Sequence, residues 1–183
     1  MPEEKVGGRL LVASPDMLDP NFERSVLLLL EHTDDGALGL DLTRPLELES
    51  GDVLPAWQPY LTTPAAVFSG GPVERAVAIG LARRDAAPSE SWQPLPSGVG
   101  VIDLSMDPDD VPGVARLRIF AGYTGWSPGQ LEMELAIGSW LSLEVEDGDV
   151  FTASPQTLWR LVLRRQRGAA AWYADFPHDL HLN

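Results

Sequence analysis

Glu132 and Glu134 stand two residues apart in the stretch Gly122–Leu135, GYTGWSPGQLEMEL, and a carboxylate pair is the first place to look for acid–base chemistry. Two positions along a helix, however, point roughly 200° apart, so these two cannot serve one site from the same helix. Glu134 shares a face with Gln130 instead. The same stretch gathers Gly122, Gly125 and Gly129 around two flat rings, Tyr123 and Trp126, a combination that suits either a ligand wall or a tight strand-to-helix junction.

A second candidate lies upstream. Gly70, Gly71 and Pro72 follow a strand-like run, and backbone amides at such a turn can line an anion nest because missing side chains allow close approach. No Lys or Thr follows, so a tight turn packed under another loop reads equally well. Arg24 and Arg44 are the cations that a catalytic reading would pair with Glu132 or Glu134.

Metal chemistry finds little support. His32 stands in a turn, and His178 and His181 in the tail, beside Asp179, with no i, i+4 histidine pair. Asp107, Asp109 and Asp110 lack the ligand alternation of an EF-hand. Nucleophile elbows, phosphate loops, dinucleotide fingerprints and HExxH are all absent, and neither a metal nor a cofactor is expected.

The elements that must position these residues follow from patterning. Gly8–Ser14 reads as a first strand and Arg24–His32 as a second, whose unbroken VLLLL centre implies burial on both faces. His32–Gly36 supplies a turn and ALGLDLT a third strand, making a hairpin. Leu46–Leu54 reads as one short helix ended by Pro55. Ala65–Val73 is a strand running into the Gly-Gly-Pro turn, followed by an apolar segment at Ala76–Ala82. RRDAAPSESWQPLPSG is a surface loop, VGVIDL a strand, and ARLRIFAGY a half-exposed strand with its arginines outward. Ser127-Pro128-Gly129-Gln130 fits a capping box, so a helix should start there and run to about Ile137, stopped by Gly138. WLSLEVE is a strand, Ser154-Pro155 opens a last helix reaching toward Gly168, and the tail over 169–183 has no regular pattern.

Composition bounds the rest. The 183 residues suit one domain, and 44% hydrophobic residues suffice for a core without disulfides, of which there are none because cysteine is absent. A net charge of −14 argues against direct binding of nucleic acid, whose phosphates need dense basic surfaces. Arg160, Arg164, Arg165 and Arg167 form a local exception that reads as cations complementing a helix C-terminus. The start, MPEEKVGGRL, carries acids where a signal peptide carries bases, and the apolar run Val26–Leu30 is far below the roughly 20 residues of a membrane span. A cytoplasmic protein with no membrane association is expected.

Together the segments GRLLVASPDMLDPNFERSVLLLLEH, GALGLDLTRP, FSGGPV and AGYTGWSPGQLEMELAIGSW, in this order, resemble the AlgH/YqgE family of bacterial proteins (UPF0301, DUF179), in its actinobacterial form. The resemblance covers almost the whole chain. It implies an α+β fold, with a mixed, largely antiparallel sheet bent into a partial barrel and flanked by helices. It also implies that GGPV and GYTGW...GQLE face each other across a surface cleft. No activity is established for the family, although a label of transcriptional regulator travels with it. The chain departs from the family's GLVLNRP: Thr43 stands where Asn is usual, and Asp41 places a charge in a strand that is usually apolar.

The expected function is thus a non-enzymatic binding or regulatory domain, taking a small ligand or a protein partner against its Gly and aromatic residues. The alternatives are a hydrolase-like or nucleotide-acting enzyme and, third, a direct transcriptional regulator. Tyr123, Trp126 and Trp140 also fit a purely structural role, filling the junction of sheet and helix.

Overall fold

A computed structural model gives the fold and describes residues 7–177. Within these residues the chain is α+β, with a nine-stranded, mostly antiparallel sheet and a few short helices. The expected mixed sheet with flanking helices is what stands there.

The amino-terminal half supplies β1 (Leu10–Ala13), β2 (Val26–Thr33), β3 (Gly36–Asp41), β4 (Pro45–Glu49), α1 (Ser50–Val53), β5 (Ala66–Ser69) and β6 (Val73–Arg84). Then come β7 (Val99–Ile102), β8 (Val114–Trp126), α2 (Gln130–Ala136), β9 (Trp140–Leu143), α3 (Leu158–Arg164) and α4 (Ala169–Tyr173). Strand order is β4-β5-β8-β3-β2-β1-β9, with β6 branching from β8 and carrying β7. The parallel pair is β5 with β8.

The two-sided burial read from VLLLL holds. Val26 and Leu28 join Leu10, Val12, Leu40 and Phe68 in a core closed by Trp159, Val162 and Leu163 of α3. Leu27 and Leu29, pointing the other way, join Leu11, Trp126, Leu131 and Trp140 beneath α2. A third cluster, around Trp57, Trp92, Leu117 and Ile119, lies against β6, β7 and β8.

Several expectations need correction. Residues 45–49 are an exposed edge strand and only Ser50–Val53 is helical, because the alternation Pro-Leu-Glu-Leu-Glu has the period of a strand and Pro45 and Glu49 pair with Phe68 and Ala66. GYTGW is not a turn: β8 continues through it to Trp126, and its last residues pair with β3. Arg118 does not point outward but is fully buried, since the loops at Thr63 and at Val150–Thr152 cover its face of β8. Trp92, inside the supposed surface loop, is also buried. The tail contains α4, formed by an alanine run with high helix propensity that packs on α3. The second half of WLSLEVE lies outside β9, and α3 ends at Arg164. His178, Asp179 and His181 lie outside the described residues.

No helix among the described residues is long and apolar enough to cross a membrane.

Candidate functional site

The two glycine-bearing segments do meet, but as packed backbone and not as facing walls of a cleft. The Gly70 amide donates to the Ala121 carbonyl at 2.9 Å, and the Thr124 hydroxyl donates to the Gly70 carbonyl at 3.3 Å. A β-carbon on Gly70 would lie 2.3 Å from the Gly122 carbonyl oxygen, and one on Gly71 at the same distance from the Tyr123 carbonyl. Gly122, at φ 72°, bends β8 where Gly71 and Val73 crowd it. These glycines are required by the close approach of three strands. Gly125 is unlike them: a β-carbon there would meet only the Tyr123 ring, at an ordinary 3.7 Å.

α2 begins later than expected. Its cap is Gly129, in the left-handed region at φ 78°, and Gln130 is its first residue. Half of the expected capping box survives, because the Gln130 side-chain oxygen accepts from the Ser127 amide at 3.0 Å. The Gln130 amide is itself engaged, donating to the Ser127 carbonyl.

Glu134 is a structural hub. One carboxylate oxygen accepts both the Trp126 indole N–H, at 2.9 Å, and the Trp140 indole N–H, at 2.8 Å, and the other accepts from Gln130 at 3.0 Å. The two indoles stack edge to face with centroids 6.1 Å apart, and Phe22 meets Trp140 in the same way. Trp126 therefore belongs to the core beneath α2 and not to an open wall. Glu134→Ala would strand two indole donors in that core, with an expected loss of about 2–4 kcal/mol. Glu134→Gln, which keeps one accepting oxygen, should lose less than half as much. Urea midpoints with unchanged m-values check this. Equal losses would contradict the hydrogen-bonding account.

Glu132 points elsewhere, with His32 Nε2 at 3.1 Å, so the two carboxylates are separated as the helical spacing requires. Tyr123 is half-buried against the core, and burial followed by the nearby Glu74 carboxylate pushes its pKa up. Among the described residues no cluster of His, Asp and Glu could hold a metal.

Gly71, Pro72 and Arg44 come together on a small depression of about 160 Å³, with Asn21, Asp41, Ser69 and Arg75. Asp41, the unusual charge in β3, is buried, which pushes its pKa up. Hydrogen bonds from the Ser25 hydroxyl (2.6 Å) and from the Thr43 hydroxyl and amide (2.6 and 2.8 Å) oppose that shift. The two departures from the family pattern thus satisfy each other: Thr43 supplies donors to the carboxylate that Asp41 introduces.

Arg44 also borders a second and larger groove, of about 460 Å³. One side is Glu23, Arg24, Thr43 and Arg44, where β2 begins and β3 has ended. The other is Pro155, Gln156, Thr157, Trp159 and Arg160, in the segment that leads into α3 and its first turn. Pro155 opens that segment as a 3-10 turn, as expected of proline at a first helical position. Arg24 is fixed here in three ways. Its backbone takes φ 55°, its guanidinium lies 4.4 Å from the centre of the Trp159 ring, and one nitrogen donates to the Phe176 carbonyl at 2.8 Å. Burial and then the charge of Arg160 push its pKa down. Arg44 donates to the Glu23 carbonyl at 2.6 Å and lies 3.6 Å from Asp41.

Arg24 and Arg44 therefore share a site with each other, but their partners are Trp159, Glu23 and Asp41, not Glu132 or Glu134. Gln156, Thr157, Trp159 and Arg160 were not among the sequence-level candidates, and no spacing marks them. The available hint was Arg160 itself, one helical turn ahead of Arg164. Arg164 and Arg165 stand at the C-terminal end of α3, where the cluster was expected, and pair there with Asp175 and Asp149, at 2.9 and 2.6 Å.

A family model described as AlgH-like (DUF179) matches residues 10–171. The chain is 47% identical to a UPF0301 protein of Streptomyces coelicolor over 96% of its own length and 94% of the relative's. It is 44% identical to a UPF0301 protein of Thermobifida fusca, again over 96% and 94%. Among solved structures, a crystal structure of a Corynebacterium diphtheriae protein superposes with a TM-score of 0.87 at 32% identity, covering 94% of this chain and 93% of the other. The solution structure of the AlgH protein from Pseudomonas aeruginosa gives 0.62 at 28% identity, covering 88% and 94%.

Proposed function

The chain belongs to the AlgH-like (DUF179) family, and from that premise we propose that it is a cytoplasmic, non-enzymatic binding domain that holds a small ligand in the groove between Arg24, Arg44 and Arg160. The observation that carries this is the groove itself. Its volume of about 460 Å³ falls inside the roughly 300–1,000 Å³ of small-molecule sites, while the depression beside Gly71 and Pro72 falls below it. The groove is also lined from two segments more than a hundred residues apart in sequence, both anchored in the core through Trp159 and the start of β2.

The enzymatic alternative draws less support. It asked Glu132 or Glu134 to work with Arg24 or Arg44, yet Glu134 is committed to two indoles and Glu132 stands beside His32. A direct role on DNA remains poorly matched to a net charge of −14.

Gln156→Trp tests the reading, because Gln156 is exposed and borders the groove, so an indole there would fill the space without entering the core. A thermal-shift screen of charged and neutral metabolites should yield compounds that stabilise the wild type. At about a hundred times Kd the gain is about 2.7 kcal/mol, or several degrees. The same compounds should leave Gln156→Trp unmoved. Hits that stabilise both proteins equally would place the binding elsewhere and remove the proposal.

A further inference from the structure

We propose that the ligand of this groove is a small organic anion carrying two or more negative charges, of the phosphate-ester or polycarboxylate kind. This rests on the groove being the binding site and adds the chemical class.

Charge is the first argument. The chain carries 27 acidic residues against 13 basic ones, so a cation usually finds a carboxylate partner. Arg164 and Arg165 do so, as does Arg83 with Asp147 at 3.2 Å. In the groove the proportion is reversed: three guanidinium groups line it with one carboxylate, Glu23, while Arg44 also lies 3.6 Å from Asp41 just beyond it. Arg160 is exposed and makes no ion pair or hydrogen bond among the described residues. Clefts with a concentrated charge of one sign focus the field and draw in ligands of the opposite sign.

The second argument is the state of Arg24. Stacking on Trp159 and the bond to Phe176 hold its guanidinium partly out of water, and its Nη1 atom is shielded from solvent with no acceptor among the described residues. A desolvated cation with an unmet donor is costly to keep. A second cation, Arg160, stands close enough to depress its pKa, by more than the Glu23 carboxylate raises it. The left-handed backbone at Arg24 adds strain that a non-glycine residue rarely accepts. Apart from the backbone strain, these costs concern the positive charge at one wall of an open groove. Negative charge entering the groove relieves the repulsion and compensates the desolvated cation.

Size and lining define the class further. The groove is larger than a bare phosphate needs, and Thr43, Thr157 and Gln156 supply neutral hydrogen-bonding groups beside the arginines. Cations presented from both sides, Arg24 and Arg44 on one and Arg160 on the other, favour an anion with separated charges. Arginine suits such groups because its planar fork grips carboxylate and phosphate oxygens in pairs.

Calorimetric titration at low ionic strength tests the class with two probes, inorganic pyrophosphate and tricarballylate, and with trehalose as the neutral control. Wild-type protein should bind at least one of the anions, and which one identifies phosphate or carboxylate as the preferred source of charge. Binding should weaken roughly tenfold or more in Arg160→Gln, which removes an exposed charge with no bond to lose. It should also weaken as salt is added. If neither anion binds while neutral hits from the metabolite screen still depend on Gln156, the anionic class is wrong and the groove stands. If anions bind equally well to wild type and to Arg160→Gln, the charge they sense lies elsewhere and the inference fails. If nothing binds in either assay, both the class and the groove are overturned.

Discussion

Gly70→Ala should destabilise the protein by about 3 kcal/mol or more, lowering Tm by roughly 6–12 °C, or prevent folding altogether. The added β-carbon would lie 2.3 Å from the Gly122 carbonyl oxygen and 2.8 Å from Leu40. The obstructing oxygen belongs to backbone, so no side chain can swing aside. Relief requires β5 and β8 to separate, at the expense of the Gly70–Ala121 and Thr124–Gly70 hydrogen bonds. The Asp41 amide also donates to the Gly70 carbonyl, at 3.0 Å, so the disturbance reaches β3. Gly125→Ala is the internal control, since its β-carbon has room and its φ is ordinary; it should change stability by about 0.5 kcal/mol or less. Thermal unfolding of both variants decides the matter. A well-folded Gly70→Ala protein with near-native Tm would mean that the close approach is not needed, and would revive a ligand-binding role for the Gly-Gly-Pro segment.

Arg118→Met should cost a comparable amount, about 3–5 kcal/mol. Arg118 is 1% exposed and has no carboxylate partner among the described residues; its charge is met by the carbonyls of Val150 (2.8 Å), Thr63 (2.9 Å) and Thr152 (3.0 Å), with Phe68 4.5 Å below. Burial pushes its pKa down to about 10, which leaves it charged at neutral pH. The guanidinium fork thereby ties β8 to two separate loops, around Thr63 and around Val150–Thr152. Methionine fills much of the volume but donates nothing, leaving three carbonyls to be satisfied by rearrangement. Arg118→Lys, with one ammonium in place of the fork, should fall between wild type and Arg118→Met. Equilibrium urea unfolding gives the order, and a methionine variant as stable as wild type would show that these bonds contribute nothing net.

Legibility of the fold in the sequence followed the reach of each signal. The run VLLLL announced a strand buried on both faces, and its alternate residues do enter two different cores. The hairpin turn before Gly36 and the stop at Gly138 were equally local, and both are where the residue types put them. Arg118 was misjudged because alternation with Leu117 and Ile119 is also what a half-exposed strand shows, and only the neighbouring loops reveal that both faces are covered. Gly70, Gly71 and Gly122 are places of close approach, but what approaches is other backbone, and Gly125 and Gly129 are not crowded. For the aromatics, the structural role fits: Trp126 and Trp140 are buried and share Glu134.

The arginine groove had no comparable signature. Arg24 and Arg44 were named on their own, but the groove also needs Thr157, Trp159 and Arg160, brought in by a helix from the far end of the chain. No motif spans that separation, and the arginine cluster near residue 165 looked uniform until ion pairs distinguished Arg164 and Arg165 from Arg160. Tertiary assembly created the site.

The central claim is that this groove binds a small molecule, and amide correlation NMR of isotope-labelled protein tests it most directly. Spectra would be compared before and after adding the low-molecular-weight fraction of a bacterial extract. The account predicts shifts concentrated at Arg24, Thr43, Arg44, Gln156, Thr157 and Arg160 and at the Trp159 indole, all abolished by Gln156→Trp. Shifts centred instead on Tyr123, Trp126 and α2, or an unchanged spectrum, would contradict it.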